Sequence, residues 1–119
     1  MKNASNIQDP EPTERIKVSE IVTCWLLDTP GVIWLYNTSG TLLEVIHHEN
    51  VEQRLAESWK QRNSGPFAYA VSAAVELFVS HEDAISRAQY AIQEFKPEAN
   101  NPRWLRRSVV DPRRQVGSR

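Results

Sequence analysis

The sequence predicts a small α+β domain, a three-stranded antiparallel sheet flanked by helices. Three observations predict it. Residues 32–37 (VIWLYN) and 41–46 (TLLEVI) are two β-branched and aromatic runs separated by Asn37-Thr38-Ser39-Gly40, a turn sequence, so together they read as a β-hairpin. Val51, Leu55 and Trp59 recur at i, i+4 and i+8, and Ile85, Ala88, Ile92 and Phe95 also recur at helical spacing, which predicts two amphipathic helices. Finally, 119 residues with 40% hydrophobic and 24% charged side chains make one globular domain.

Taken in chain order, residues 1–15 carry no large apolar residue except Ile7 and hold Pro10 and Pro12, so they are expected to form a disordered leader. Ile16, Val18, Ile21, Val22, Trp25 and Leu26 suit one face of a short helix capped by Ser19 and stopped by Asp28-Thr29-Pro30-Gly31. After the hairpin, Asn50 is the expected N-cap of the helix that carries Val51, Leu55 and Trp59. That helix should end near Asn63-Ser64-Gly65-Pro66. The apolar run 67–79 fits helix or strand by periodicity, and the composition of Val75-Glu76-Leu77-Phe78-Val79 assigns the third strand there. Ser80 should cap the last helix, with Asp83 as the acid of a capping box, and Pro97 should end it. The expected division is a leader (1–15), a domain (16–102) and an Arg-rich tail (103–119).

Composition excludes several classes. A single cysteine, Cys24, leaves no disulfide framework and no CxxC motif within one chain. It reads as a small core residue or helix filler. No run approaches the roughly 18 apolar residues that would span a bilayer, and Met1 to Glu14 lacks the apolar segment of a secretory signal. The expectation is a cytoplasmic protein. The net charge of −1 hides a division: residues 1–102 carry eight Lys/Arg against fourteen Asp/Glu, whereas residues 103–119 carry six Arg against Asp111 alone. A basic tail on an acidic body points to an anionic partner.

Several stretches carry a resemblance to a known family. Pro30-Gly31-Val32-Ile33-Trp34-Leu35-Tyr36-Asn37, Ser39-Gly40, Leu42-Leu43-Glu44-Val45-Ile46 and Asn50-Val51-Glu52-Gln53-Arg54-Leu55 resemble the opening of a GIY-YIG nuclease domain, of the type found at the N-terminus of a bacterial excision-repair nuclease. Phe95-Lys96-Pro97-Glu98-Ala99-Asn100 is similar to that family's aromatic-basic-proline ending, so the resemblance covers about residues 19–100. It implies a bacterial or mobile-element origin and a phosphodiesterase ancestry. In such nucleases a tyrosine lies near the attacking water, cationic side chains surround the phosphate, and a glutamate holds a divalent metal. Each has a physical purpose: a proton relay, stabilisation of developing negative charge, and a hard oxygen ligand.

This chain departs from that pattern where the chemistry is. The first tyrosine position falls at Ile33, the second at Glu44 and the motif glycine at Ile46, while the metal glutamate falls at Ala88. A shift of one residue would place Arg87 or Gln89 there, neither a carboxylate. Only Gly31, Arg54 and Asn100 match. A methyl group cannot hold a metal and Ile33 cannot relay a proton, so the resemblance implies a degenerate, non-catalytic member with no cofactor.

Other constellations leave alternatives open. Glu44, His47 and His48 are either a substitute metal site or solvated residues before a helix cap; adjacent histidines on a strand end point to opposite sides, so at most one faces Glu44. Arg54 either keeps an anion-binding role or is an exposed helix residue paired with Glu44 or Glu57. In the tail, Arg103, Trp104, Arg106, Arg107, Arg113 and Arg114 combine charge for phosphates with a ring for base stacking. The alternatives are docking onto a protein and an inert solubilising terminus. The leading expectation is therefore an accessory module that binds DNA or RNA through its tail; the second is a protein-interaction or regulatory module within a larger complex, its oligomeric state open; the third is a divergent metal-dependent nuclease.

Overall fold

A computed structural model describes residues 7–21 and 28–100. It shows an α+β fold: a four-stranded antiparallel sheet packed with three helices. The elements are β1 (Ile16–Lys17), α1 (Val18–Ile21), β2 (Gly31–Tyr36), β3 (Leu42–His48), α2 (Val51–Lys60), β4 (Ser72–Leu77) and α3 (His81–Phe95). Short 3₁₀ turns occupy Pro66–Tyr69 and Glu98–Asn100. Across the sheet the strands run β1-β4-β2-β3.

The hairpin forms as the sequence predicts. Asn37 closes its turn, its Oδ1 accepting the backbone N–H groups of Ser39 and Thr41 at 2.9 Å each, while Gly40 takes φ +81°, a left-handed value that glycine adopts without strain. β2 lies between β4 and β3, so all six of its residues are buried. That central place explains why its sequence is continuously apolar rather than alternating. Val32, Trp34 and Tyr36 face one core, completed by Val45 of β3 and by Ala84, Ala88 and Ala91 of α3. Ile33 and Leu35 face the other, with Ile21 of α1 and Val51 and Leu55 of α2.

Both long helices begin at their expected caps. Asn50 Oδ1 accepts from the Gln53 N–H at 3.0 Å, and Ser80 Oγ accepts from the Asp83 N–H at 3.2 Å. α2 ends just before the Asn63–Pro66 breakers, and α3 ends at Phe95, with Lys96 left-handed (φ 49°) ahead of Pro97.

Four expectations are corrected. The sheet has four strands rather than three: Ile16 and Lys17, expected to open a helix, pair with Ala73 and Ser72 along an edge of β4. The first helix is the single turn Val18–Ile21, and the rest of its expected length, with Cys24, lies outside the described residues. The third strand starts earlier than expected, at Ser72, because Tyr36 pairs with Ser72 and small side chains at Ala73 and Ala74 let β4 fit under both layers. It ends before Phe78, whose N–H turns to the carbonyl of Pro30 at 2.9 Å, and Val79 is 90% exposed. The buried stripe of α3 is rotated from the expected one: Ala84, Arg87, Ala88 and Ala91 are buried, while Ile85, Ile92 and Phe95 lie at its margins. A charged residue takes a core position there because its guanidinium is fully partnered.

Part of the expected leader also has a defined course. Ile7 packs against the core beneath α3, the Arg15 guanidinium lies 3.6 Å from the centre of the Tyr36 ring, and Glu11 pairs with Arg15 at 3.6 Å. Residues 1–6 and 101–119 lie outside the described residues.

Candidate functional site

The strand alternation that builds the two cores also sorts the sequence-predicted site residues. Ile33, opposite Ile46, and Glu44, opposite Leu35, face the α2 side of the sheet. Arg54, half-buried on α2, lies on that side too, close enough to Glu44 for its charge to favour the carboxylate. Burial outweighs it, so the Glu44 carboxyl is held above its ordinary value of 4.5. The structure therefore places four of the positions compared with the nuclease motif, Ile33, Glu44, Ile46 and Arg54, on one side of the sheet.

Gly31 sits at the edge of the same group, with a packing reason for being glycine. A Cβ there would collide with the backbone carbonyl of Glu76 and stand 2.7 Å from Cγ2 of Val51, so β2 can lie this close to β4 and α2 only without a side chain.

Ala88 is elsewhere. It is fully buried against Val32, Trp34 and Tyr36, with the thickness of the sheet between it and Ile33. The neighbouring registers do not help: Gln89 is exposed, and Arg87 is buried on the α3 side. Asn100 ends the 3₁₀ turn that packs beside β3. The arginines of the tail (103, 106, 107, 113 and 114) and Trp104 lie outside the described residues.

Strand geometry also separates the acid and histidines proposed as a substitute metal site. His47 pairs with Val32 and so points to the α3 side, away from Glu44. His48 takes the other side, where its Nδ1 accepts the Asn50 N–H at 2.9 Å. Among the described residues no group of three or more His, Cys, Asp or Glu side chains is placed to hold a metal ion. What the structure adds is a partner from α3: His47 Nδ1 and His81 Nε2 stand 3.3 Å apart.

The most elaborate polar arrangement was missed in the sequence. Glu76 of β4 accepts from Trp34 Nε1 at 3.0 Å and forms a bidentate pair with Arg87, Nε at 3.0 Å and Nη2 at 3.1 Å. Arg87 spends its remaining N–H groups on main-chain carbonyls of the N-terminal arm: Nη1 donates to Ile7 at 2.9 Å and Asp9 at 2.6 Å, and Nη2 donates to Pro10 at 2.8 Å. All five guanidinium donors are thus used. The sequence held a signal: an acid inside an otherwise apolar strand and a base among the alanines of an apolar helix face.

Comparison with known proteins finds no family model that matches this chain and no curated protein similar to it in sequence. Among the described residues, no helix is long and apolar enough to cross a membrane.

Proposed function

We propose that this chain is a non-catalytic module related to the GIY-YIG nucleases, which associates with nucleic acid through its Arg-rich tail. One observation carries the first half of the reading. The positions matched to the catalytic tyrosine and the metal glutamate hold Ile33 and Ala88, both buried, on opposite faces of the sheet. Hydrolysis of a phosphodiester needs a proton relay and a hard oxygen ligand converging on one phosphate. Two apolar side chains separated by a sheet supply neither. Glu44 further disfavours phosphate on the α2 side, since its ionised form would repel one.

The division of charge supports the second half. Six arginines in residues 103–119 oppose a body with an excess of acids, so the tail is the part of the chain that attracts phosphate. Binding of the full chain to labelled DNA and RNA across a salt series tests the reading. With about five phosphate contacts the slope of log K against log salt is roughly −4 to −5 on duplex DNA, and replacing Arg103, Arg106 and Arg107 by alanine reduces its magnitude by about 3. No binding, or a slope unmoved by the triple replacement, overturns it and leaves the protein-docking role for the tail.

A further inference from the structure

His47 lies at the exposed end of β3 and His81 is the first residue of α3. Both positions are fixed by the fold. His47 is held in register by its pairing with Val32, and His81 follows Ser80, the anchored cap of its helix. The rings are tilted by 50° with centroids 5.3 Å apart, and the facing nitrogens, Nδ1 of His47 and Nε2 of His81, are separated by 3.3 Å. Two imidazole nitrogens bound to a tetrahedral ion at ~2.0–2.1 Å each stand about 3.3 Å apart. The pair is therefore already at the bite of a chelate, and His47 is open to solvent.

We infer that His47 and His81 form a binding site for a tetrahedral divalent ion of the zinc class, with water completing the coordination. Without the ion one ring donates its N–H to the other across the same gap. On binding, that ring moves its proton to its outer nitrogen and both facing lone pairs go to the metal, so no net proton is lost. The start of a helix disfavours a cation, an effect offset by Glu82 and Asp83 in the first turn of α3. Imidazole selects zinc, nickel and copper over magnesium and calcium, which prefer oxygen. This site lies on the α3 side of the sheet, apart from the Glu44 group, and does not depend on the nuclease resemblance.

The test is calorimetric titration of the tag-free full chain with ZnCl₂ at neutral pH, with MgCl₂ as the comparison ion. The expected result is one Zn²⁺ per chain, no Mg²⁺ binding, and a rise in melting temperature with Zn²⁺ as the ion ties β3 to α3. His47→Ala and His81→Gln, both surface changes, each weaken Zn²⁺ binding by more than the roughly 10–100-fold typical of an outer-shell change. His48→Ala, on the opposite side of the strand, leaves it unchanged. Circular dichroism in EDTA confirms that each variant is folded. Absence of saturable binding, binding that persists in both chelate variants, or equal loss in His48→Ala overturns the site.

Discussion

Arg87 and Glu76 meet in a bidentate ion pair inside the protein, Nε to Oε1 at 3.0 Å and Nη2 to Oε2 at 3.1 Å, and the arginine side chain is fully buried. Trp34 borders both partners: its indole N–H reaches Glu76, and its ring centre lies 5.0 Å from the guanidinium carbon. A buried pair of this kind is weak evidence for net stability, because desolvation of both ions offsets their attraction. What it determines here is location. The guanidinium donors that Glu76 leaves free are taken up by the carbonyls of Ile7, Asp9 and Pro10, so the ion pair fixes where the N-terminal arm crosses the domain.

Breaking the pair should therefore act at two places. Arg87→Met leaves the Glu76 carboxylate buried without its cation and is expected to cost about 3–5 kcal/mol in urea denaturation. Adding Glu76→Gln should recover part of that loss, since no uncompensated charge then remains. In both variants the arm loses its anchor, so hydrogen exchange at Gln8 and Asp9 rises in both. Slow exchange there in the double variant would mean that the packing of Ile7, rather than Arg87, holds the arm.

Gly31→Ala gives a cleaner steric test. The added methyl would strike the Glu76 carbonyl, which is backbone and cannot rotate away, and crowd Val51 at 2.7 Å. The expected loss is about 2–3 kcal/mol, at the upper end of overpacking effects. Gly65→Ala is the contrast: nothing lies within 4 Å of the added Cβ, so its cost is backbone strain alone, about 1–3 kcal/mol, because φ +64° with ψ −166° is a conformation almost reserved for glycine. A loss below about 1 kcal/mol for Gly31→Ala in chemical denaturation would show that strand contact is not what selects glycine at position 31.

How legible these features were in the sequence follows from the range of the interactions that create them. The hairpin, both long-helix caps and the Pro97 stop were legible, because Asn37, Asn50, Ser80 and Pro97 act on backbone within four residues of themselves. β1 was not: Ile16 and Lys17 become a strand only because Ala73 and Ser72, more than fifty residues on, present an edge to them. The Arg87 network was hidden for the same reason. At the candidate site, motif spacing located Ile33, Glu44, Ile46 and Arg54, which the sheet does gather on one side. Spacing could not show that Ala88 belongs to the other side or that His47 meets His81, since both facts arise from how α3 packs on the sheet.

Glu44 should make stability depend on pH. Its folded-state pKa is raised, by burial first and against the opposing charge of Arg54, so the folded state holds this proton more tightly than the unfolded chain. The group's contribution is fully present below the ordinary value of 4.5 and is lost as pH rises through the folded pKa, so burying Glu44 costs stability as pH rises above 4.5. Glu44→Gln is expected to raise the melting temperature at neutral pH and to leave it unchanged at a pH below 4.5. A lower melting temperature at neutral pH would show that the attraction of Arg54 outweighs desolvation.

Installing nuclease-type residues should fail to create a nuclease site for a geometric reason. Ile33→Tyr places a phenol in the core beneath α2, where Ile33 is 1% exposed, and Ala88→Glu places a carboxylate in the core beneath α3, where Ala88 is 0% exposed. Each is destabilising, the glutamate most, because a buried carboxylate without a partner costs several kcal/mol or takes up a proton. Neither side chain can reach the other across the sheet, so the double variant gains no site where a metal-bound phosphate and a tyrosine converge. The expected outcome is a lowered melting temperature for both single variants and no cleavage of plasmid DNA with Mg²⁺ or Mn²⁺ for the pair. Cleavage that requires both new residues would mean that α3 can turn its Ala88 face towards the α2 side, and would overturn the non-catalytic reading.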